Sequence, residues 1–491
     1  MRVLIACSFA LPSVGGVWTY VCWLEKGLRK VGHDVEILAP HPNLQQYHLL
    51  RSGASVSTSS IRTLLHPKIY GFVRQRIHDQ NERPFVQSME LQRYYLEAAA
   101  LYFGMDQYDV IHTQDVIATL AMSRVKFERT VLLATIHSSL SAEWVHQQTG
   151  CGQSFALQYV RRTEYLGLTV ARCTITPSRW LKNLLVSEFD LSENQCQVIL
   201  SGIDIEEFDE KLQENSDLKF PRWATNLICL ARLDKVKGHH DLLLALFKLK
   251  QTRSDWLCWL VGDGPMKSTL RKQSHKLGLA EYIVFVGERR DVPALLRQAD
   301  VVVLASRQEN LPFAVMEAQL AGKPVLVTDA GGIPEMVEHE RTGLMSPVKH
   351  SDALCENLKL ILEDAQLRES ISRHTREFAT VTWDLRLMTE RIEEIYKQLI
   401  HFDENGDSSQ AGVDYSSGCR RTRRTRTNRC QENGDARLRL VPGQDFDELF
   451  LPNLPTVNFR VDRTVWECIR QHAPIGYRIP DKFVLDDRTI K

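Results

Sequence analysis

The stretch "VVVLASRQENLPFAVMEAQLAGKPVLVTD", residues 301–329, decides the fold. Its first five residues form an unbroken apolar run, the pattern of a strand buried on both faces of a parallel sheet. "RQEN" is a turn, Pro312 suits the first position of a helix because its φ is already fixed, and Gly322 closes "FAVMEAQLAG" as a short helix. "KPVLVTD" then opens a second buried strand. Strand, helix and strand in this order predict a crossover unit with parallel strands. Two carboxylates, Glu309 and Glu317, fall in the turn and on the helix, away from the apolar stripe of Phe313, Met316 and Leu320. A glutamate pair means little by itself, since exposed Glu is the norm; its place after a strand gives it meaning.

The same alternation runs through most of the chain. "RVLIAC" (2–7), "DVEILA" (34–39), "DVIHT" (109–113), "TVLLATI" (130–136), "CTITP" (173–177) and "CQVIL" (196–200) read as strands of a first domain, 1–205. Helical segments lie between most of them, as in "VWTYVCWLEKGLRKVG" with Val17, Tyr20, Val21, Leu24 and Leu28 on one face. "NLICLA", "WLCWLVG", "IVFVG", "VVVLAS" and "PVLVTD" begin a second series. The polar stretch between the series predicts a linker over 206–224 and a second domain over 225–400, closed by the amphipathic "TWDLRLMTERIEEIYKQLI" (382–400). The expected fold class is α/β, with two Rossmann-like doubly wound domains facing across a cleft and a C-terminal appendage. Residues 401–437, with six arginines between Arg420 and Arg429, read as a disordered basic linker, and 438–491 as a small appendage.

Composition narrows the classes. Across 491 residues, Lys+Arg and Asp+Glu both number 61, so no global field recruits nucleic acid. Eleven cysteines sit mostly in apolar runs without C-x-x-C spacing, as core residues of a reducing compartment do; Cys419 and Cys430 lack the further ligands a zinc site needs. No apolar run approaches the roughly 20 residues that span a bilayer, and the chain starts on a strand without a leader pattern. The expected address is cytoplasmic, with peripheral contact at the inner face of a membrane left open.

Ligands bind beyond the carboxyl ends of parallel strands, and each chemistry-bearing stretch falls there. Gly15 and Gly16 precede a helix whose free N–H groups suit an anion; this is no G-x-G-x-x-G, so a dinucleotide fingerprint is unsupported. In "LARLDKVKGHHDLL", Arg232 and Lys237 pair a guanidinium fork with an ammonium before a helix, as a diphosphate clamp would. Glu309 and Glu317 can both accept from vicinal hydroxyls, so this set suits a sugar nucleotide.

Residues 1–400 resemble a GT-B retaining glycosyltransferase of family 4. The family's hallmark, a Glu, seven residues and a second Glu followed by Ala, is matched by "ENLPFAVMEA". "ARLDKVKG", "VGDGP", "LAGKPVLVTDAGGIPEMV" and "RTGLMSP" match its companion motifs in order and spacing. The resemblance implies that Glu309 contacts the donor sugar, Glu317 the ribose, and Arg232 and Lys237 the diphosphate. Gly15 and Gly16 would form the loop beside the donor, with Asn310, Leu311 and Pro312 in the donor-binding turn. His137, in "LLATIHSS", matches the family's strand-end histidine, so the catalytic set it implies is His137, Glu309, Arg232 and Lys237. It further implies a front-face route, in which the departing phosphate helps deprotonate the acceptor, with no metal or other cofactor. Two positions depart from the pattern: Ser201 and Asn310 stand where Asn and Gly are usual.

His112, at another strand end, is an acceptor-contact candidate or a structural residue. Between the second strand and Asp109, Arg62, Lys68, Arg74, Arg76, Arg83 and Arg93 alternate with Tyr70, Phe72, Phe85 and Tyr94, which suits a lipid-phosphate acceptor or plain amphipathic helices. The expected partners are a nucleotide-sugar donor and a saccharide or lipid-linked acceptor, in polysaccharide or glycoconjugate synthesis. A GT-B epimerase or phosphorylase and a silent carbohydrate-binding scaffold are the alternatives.

Overall fold

The computed structural model describes residues 1–77, 80–147 and 155–404; the basic linker, the appendage, and Cys419 and Cys430 lie outside the described residues. Two sheets carry the fold. The first contains β1 (Arg2–Ala6), β2 (Asp34–Pro40), β3 (Gln46–Leu49), β4 (Ser55–Ser57), β5 (Val110–Thr113), β6 (Val131–Thr135), β7 (Cys173–Thr176) and β8 (Cys196–Val198), in the order 4-3-2-1-5-6-7-8. The second contains β9 (Thr225–Leu230), β10 (Trp256–Val261), β11 (Ile283–Gly287), β12 (Val301–Leu304), β13 (Val325–Thr328) and β14 (Gly343–Ser346), in the order 11-10-9-12-13-14. Every pairing is parallel except those of β3 with β2 and β4. Val301–Leu304 and Val325–Thr328 are buried throughout, as the unbroken apolar runs require.

Strand order reverses between β2 and β5 around β1, and between β10 and β12 around β9. Helices there leave on opposite faces and open a crevice at the strand ends. The two crevices face each other: the loop after β12 meets those after β1, β6 and β7, with Gly16 beside Phe313 and Asn310 bonded to Ser178 and the His137 carbonyl.

Two boundary expectations are corrected. The expected linker opens on a helix, Ile205–Gln213, and Phe208 and Phe220 are buried in the second domain's core. The helix Leu385–Glu404, expected to close the second domain, returns to the first and extends past 401. Leu385, Met388, Ile392 and Tyr396 pack with Tyr20, Leu24 and Leu28 of the first helix, Gly16–Lys30, whereas Trp383, just before it, is buried in the second core. Amphipathic spacing identifies the apolar face of a helix but not the core that receives it. The crossing is tied by bonds from Ile203 N–H to the Trp383 carbonyl at 2.8 Å and from Leu385 N–H to the Ile203 carbonyl at 3.0 Å. No helix among the described residues is long and apolar enough to cross a membrane.

Candidate active site in the cleft between the domains

The site is built from strand-end loops. After β9, Asp234 accepts from the Val236 and Lys237 amides and caps the short 3-10 turn Lys235–Lys237. Gly238 follows at φ +63°, so close to β12 that a Cβ would stand 1.8 Å from the Ala305 carbonyl oxygen. Only glycine lets this loop lie against the neighbouring strand end. The Lys237 ammonium is thereby carried to the end of β12, where it donates to Glu309 Oε1 at 2.6 Å. The Ser306 hydroxyl donates to the same oxygen at 2.7 Å. Oε1 is thus fixed twice, whereas Oε2 accepts no hydrogen bond among the described residues. Arg232 lies at the rim with its side chain 72% exposed, and its Nε donates to Asp234 at 2.6 Å.

The helix Phe313–Leu320 starts from Pro312 without a side-chain cap, so its first amides remain open to an anion. Pro312, expected as the first helical residue, is instead the N-cap, and the helix starts one position later. Across the cleft, Gly15 caps the first helix at φ +146°, and Gly16 lies where an added Cβ would be 3.7 Å from the Phe313 ring. The glycine loop and the Glu309 helix therefore face each other at contact distance. Glu317, in the second turn of that helix, is partly buried, and burial pushes its carboxyl up to about 7 despite the attraction of Lys211.

His137 stands beyond β6, partly buried, with Nε2 3.1 Å from Gln114 Oε1 and its ring edge-on to Tyr20. Burial lowers its pKa to about 3, so the imidazole is neutral at physiological pH. Thus Arg232, Lys237, Glu309, the open helix start, Gly15, Gly16 and His137 share one cleft.

Three expected site residues are placed differently. His112 is fully buried, bonded at 2.7 Å through Nδ1 to the Tyr396 hydroxyl and at 2.7 Å through Nε2 to Thr135 Oγ1, so both ring nitrogens are taken in joining β5 and β6 to the returning helix. The side chain of Leu311 belongs to the second core. That of Asn310 crosses the cleft, donating to the His137 carbonyl at 2.9 Å and accepting from the Ser178 hydroxyl. Both therefore offer the donor loop only their backbone. Sequence reading missed Ser178 and Glu335; only "GGIPE" marked the latter.

The model for glycosyltransferase family 4 matches residues 14–207, and that for glycosyl transferases group 1 matches 207–378. An uncharacterised glycosyltransferase of Methanocaldococcus jannaschii is 26% identical over 384 residues, covering 76% of this chain and 92% of that protein. Glycogen synthase of Mycobacterium tuberculosis is 24% identical over 412 residues, covering 81% and 94%. Among solved structures, sucrose-phosphate synthase of Thermosynechococcus elongatus superposes with a TM-score of 0.60 at 18% identity, over 82% of this chain and all of that one. The Anabaena protein HepE, solved with UDP and glucose, gives 0.57 at 20% identity over 81% of this chain and all of that one. With paired α/β domains, a shared cleft and the two family models matched one after the other over residues 14–378, the chain belongs to the GT-B glycosyltransferases of group 1 and is an enzyme that transfers sugars.

Proposed function

We propose that the chain is a retaining hexosyltransferase that moves a sugar from a nucleoside-diphosphate sugar to a saccharide or lipid-linked acceptor. One observation carries this: Lys237 and Ser306 fix Glu309 by a single oxygen at the mouth of the cleft, beside an uncapped helix start. A diphosphate is suited by the cations and the open amides, and a sugar hydroxyl by the free Glu309 oxygen. Ribose hydroxyls are assigned to Glu317. A carboxylate bound this closely to an ammonium is a poor general base, which favours a role in positioning. Charge developing on the leaving diphosphate would meet Arg232, Lys237 and the helix start, and the neutral His137 can hydrogen-bond the donor sugar without adding charge. The departing phosphate oxygen would then take the acceptor proton on the same face, retaining the anomeric configuration. Groups already present supply this chemistry, so no metal is assigned to it.

The relatives' names point the same way. A mannosyltransferase of Mycobacterium tuberculosis, described as GDP-mannose-dependent and acting on a phosphatidylinositol monomannoside, is 31% identical over 166 residues, 32% of this chain and 43% of that protein. The reading places the enzyme in polysaccharide or glycoconjugate synthesis, in the cytoplasm or at the inner face of a membrane. Incubation with UDP-, GDP- and ADP-sugars, followed by release of the nucleotide, tests it. Glu309→Gln should lower turnover at least about 100-fold, the loss expected for an electrostatic site residue. Turnover unchanged in that variant, or no nucleotide released or bound by the native chain, would overturn it.

A further inference from the structure

We infer that Ser178, Asn310 and Glu335 form a clamp across the cleft that positions Glu309 of the second domain against His137 of the first. The inference rests on the donor-binding role proposed for Glu309.

The clamp begins with an incomplete helix cap. In the helix Arg179–Phe189 of the first domain, the first amides have no partner within the helix. The Ser178 hydroxyl accepts from the Leu181 amide at 3.1 Å. The amides of Arg179 and Trp180 are instead satisfied from the other domain, donating to the two carboxylate oxygens of Glu335 at 2.9 and 2.6 Å. A carboxylate at a helix N-terminus also meets the favourable end of the helix dipole. Two of this helix's cap bonds therefore exist only while the domains are together.

Glu335 is rigidly coupled to the catalytic loop. It ends the 3-10 turn Ile333–Glu335, and the Gly332 amide just before that turn donates to the Glu309 carbonyl at 3.1 Å. Gly331, at φ +59°, lies where a Cβ would be 1.9 Å from that carbonyl oxygen, and a Cβ on Gly332 would be 2.1 Å from the Asn310 carbonyl oxygen and 3.2 Å from Ser178 Cβ. The Gly331–Glu335 segment thus lies directly on the backbone of Glu309 and Asn310. Asn310 completes the bridge through Ser178 and the His137 carbonyl, bonds that the glycine usual at this position in the family could not make. Each bond is replaced by one to water when the cleft opens, so the net strength is small and the clamp can release product.

Acting on relative position, these are positioning residues. The donor is held within the second domain, so losing the clamp should leave its binding nearly intact while displacing it from groups of the first domain. A displacement of about 1 Å can cost on the order of 100-fold in rate. The full chain and its Ser178→Ala, Asn310→Gly, Glu335→Gln and Ser178→Ala/Glu335→Gln variants would be compared. Two readouts apply: amide hydrogen exchange at residues 179–181, and steady-state transfer from whichever nucleotide sugar supports turnover. The expected result is faster exchange at 179–181 with unchanged protection in the rest of that helix, and kcat lowered about 10–100-fold. The donor KM should stay within about threefold, and Ser178→Thr, which keeps the hydroxyl, should restore most of the rate. Unchanged exchange in the double variant would overturn the clamp. Faster exchange with native kcat would overturn its positioning role, as would a loss expressed only in donor KM. If the native chain used no donor, the proposed function would fail, whereas exchange at 179–181 would still decide whether the clamp exists.

Discussion

Glu317 is held in a state that costs stability, and Glu317→Gln should expose that cost as a pH-dependent gain. Its carboxyl is partly buried and accepts no hydrogen bond among the described residues, and burial lifts its pKa from 4.5 to about 7 against the partial relief of Lys211. At about 1.4 kcal/mol per pH unit, the penalty on the ionised form is about 3 kcal/mol. Water reaching this partly exposed side chain brings the effective figure to about 1–2 kcal/mol. The folded state holds the proton more tightly than the unfolded chain. This contribution is therefore fully present below about pH 4.5 and is lost as pH rises through about 7. Glutamine does not titrate, so the variant should gain on the native protein by about 1–2 kcal/mol between pH 4.5 and pH 8. Urea melts of both proteins at these two pH values, without nucleotide, measure the difference. A gap of the same size at both pH values, or a native protein that gains on the variant at pH 8, would refute the reasoning. The same substitution should weaken nucleoside-diphosphate binding at pH 8, where the native carboxyl is mostly ionised, because a neutral amide is a poorer acceptor for ribose hydroxyls than a carboxylate.

Lys237→Met removes the ammonium from the diphosphate site and one of the two donors fixing Glu309; single-turnover transfer should fall by about 10²–10³, and a loss below tenfold would exclude it from the site. Tyr396→Phe leaves buried His112 Nδ1 without its partner, so chemical melts should show a loss of about 1–3 kcal/mol while acceptor KM stays native. A raised acceptor KM with native stability would restore His112 to the acceptor site. Gly331→Ala combines a positive φ with a Cβ 1.9 Å from the Glu309 carbonyl oxygen. It should abolish measurable transfer while circular dichroism retains the native helix signal, and native turnover would mean that the Glu309 loop moves freely.

The sequence by itself determined the strands, because a parallel strand covered on both faces must be an unbroken apolar run, as at Val301–Leu304 and Val325–Thr328. It also placed Arg232, Lys237 and Glu309 at strand ends, since chemistry-bearing residues followed such runs directly. The two-strand antiparallel extension β3–β4 was not legible, because "QYHL" and "SVS" are too short and too polar to stand out from a loop. The tertiary structure alone decided destinations. Leu385, Met388, Ile392 and Tyr396 predicted an amphipathic helix, yet either core could have covered it, and the first did. His112 could have pointed at the cleft or inward, and the returning Tyr396 supplied the inward partner. Asn310 matched a donor loop, but Ser178 and His137, more than 130 residues away in sequence, took its side chain. Periodicity and spacing are local quantities, whereas the partner of a polar side chain is fixed by which distant backbone arrives beside it, and only the assembled domains settle that.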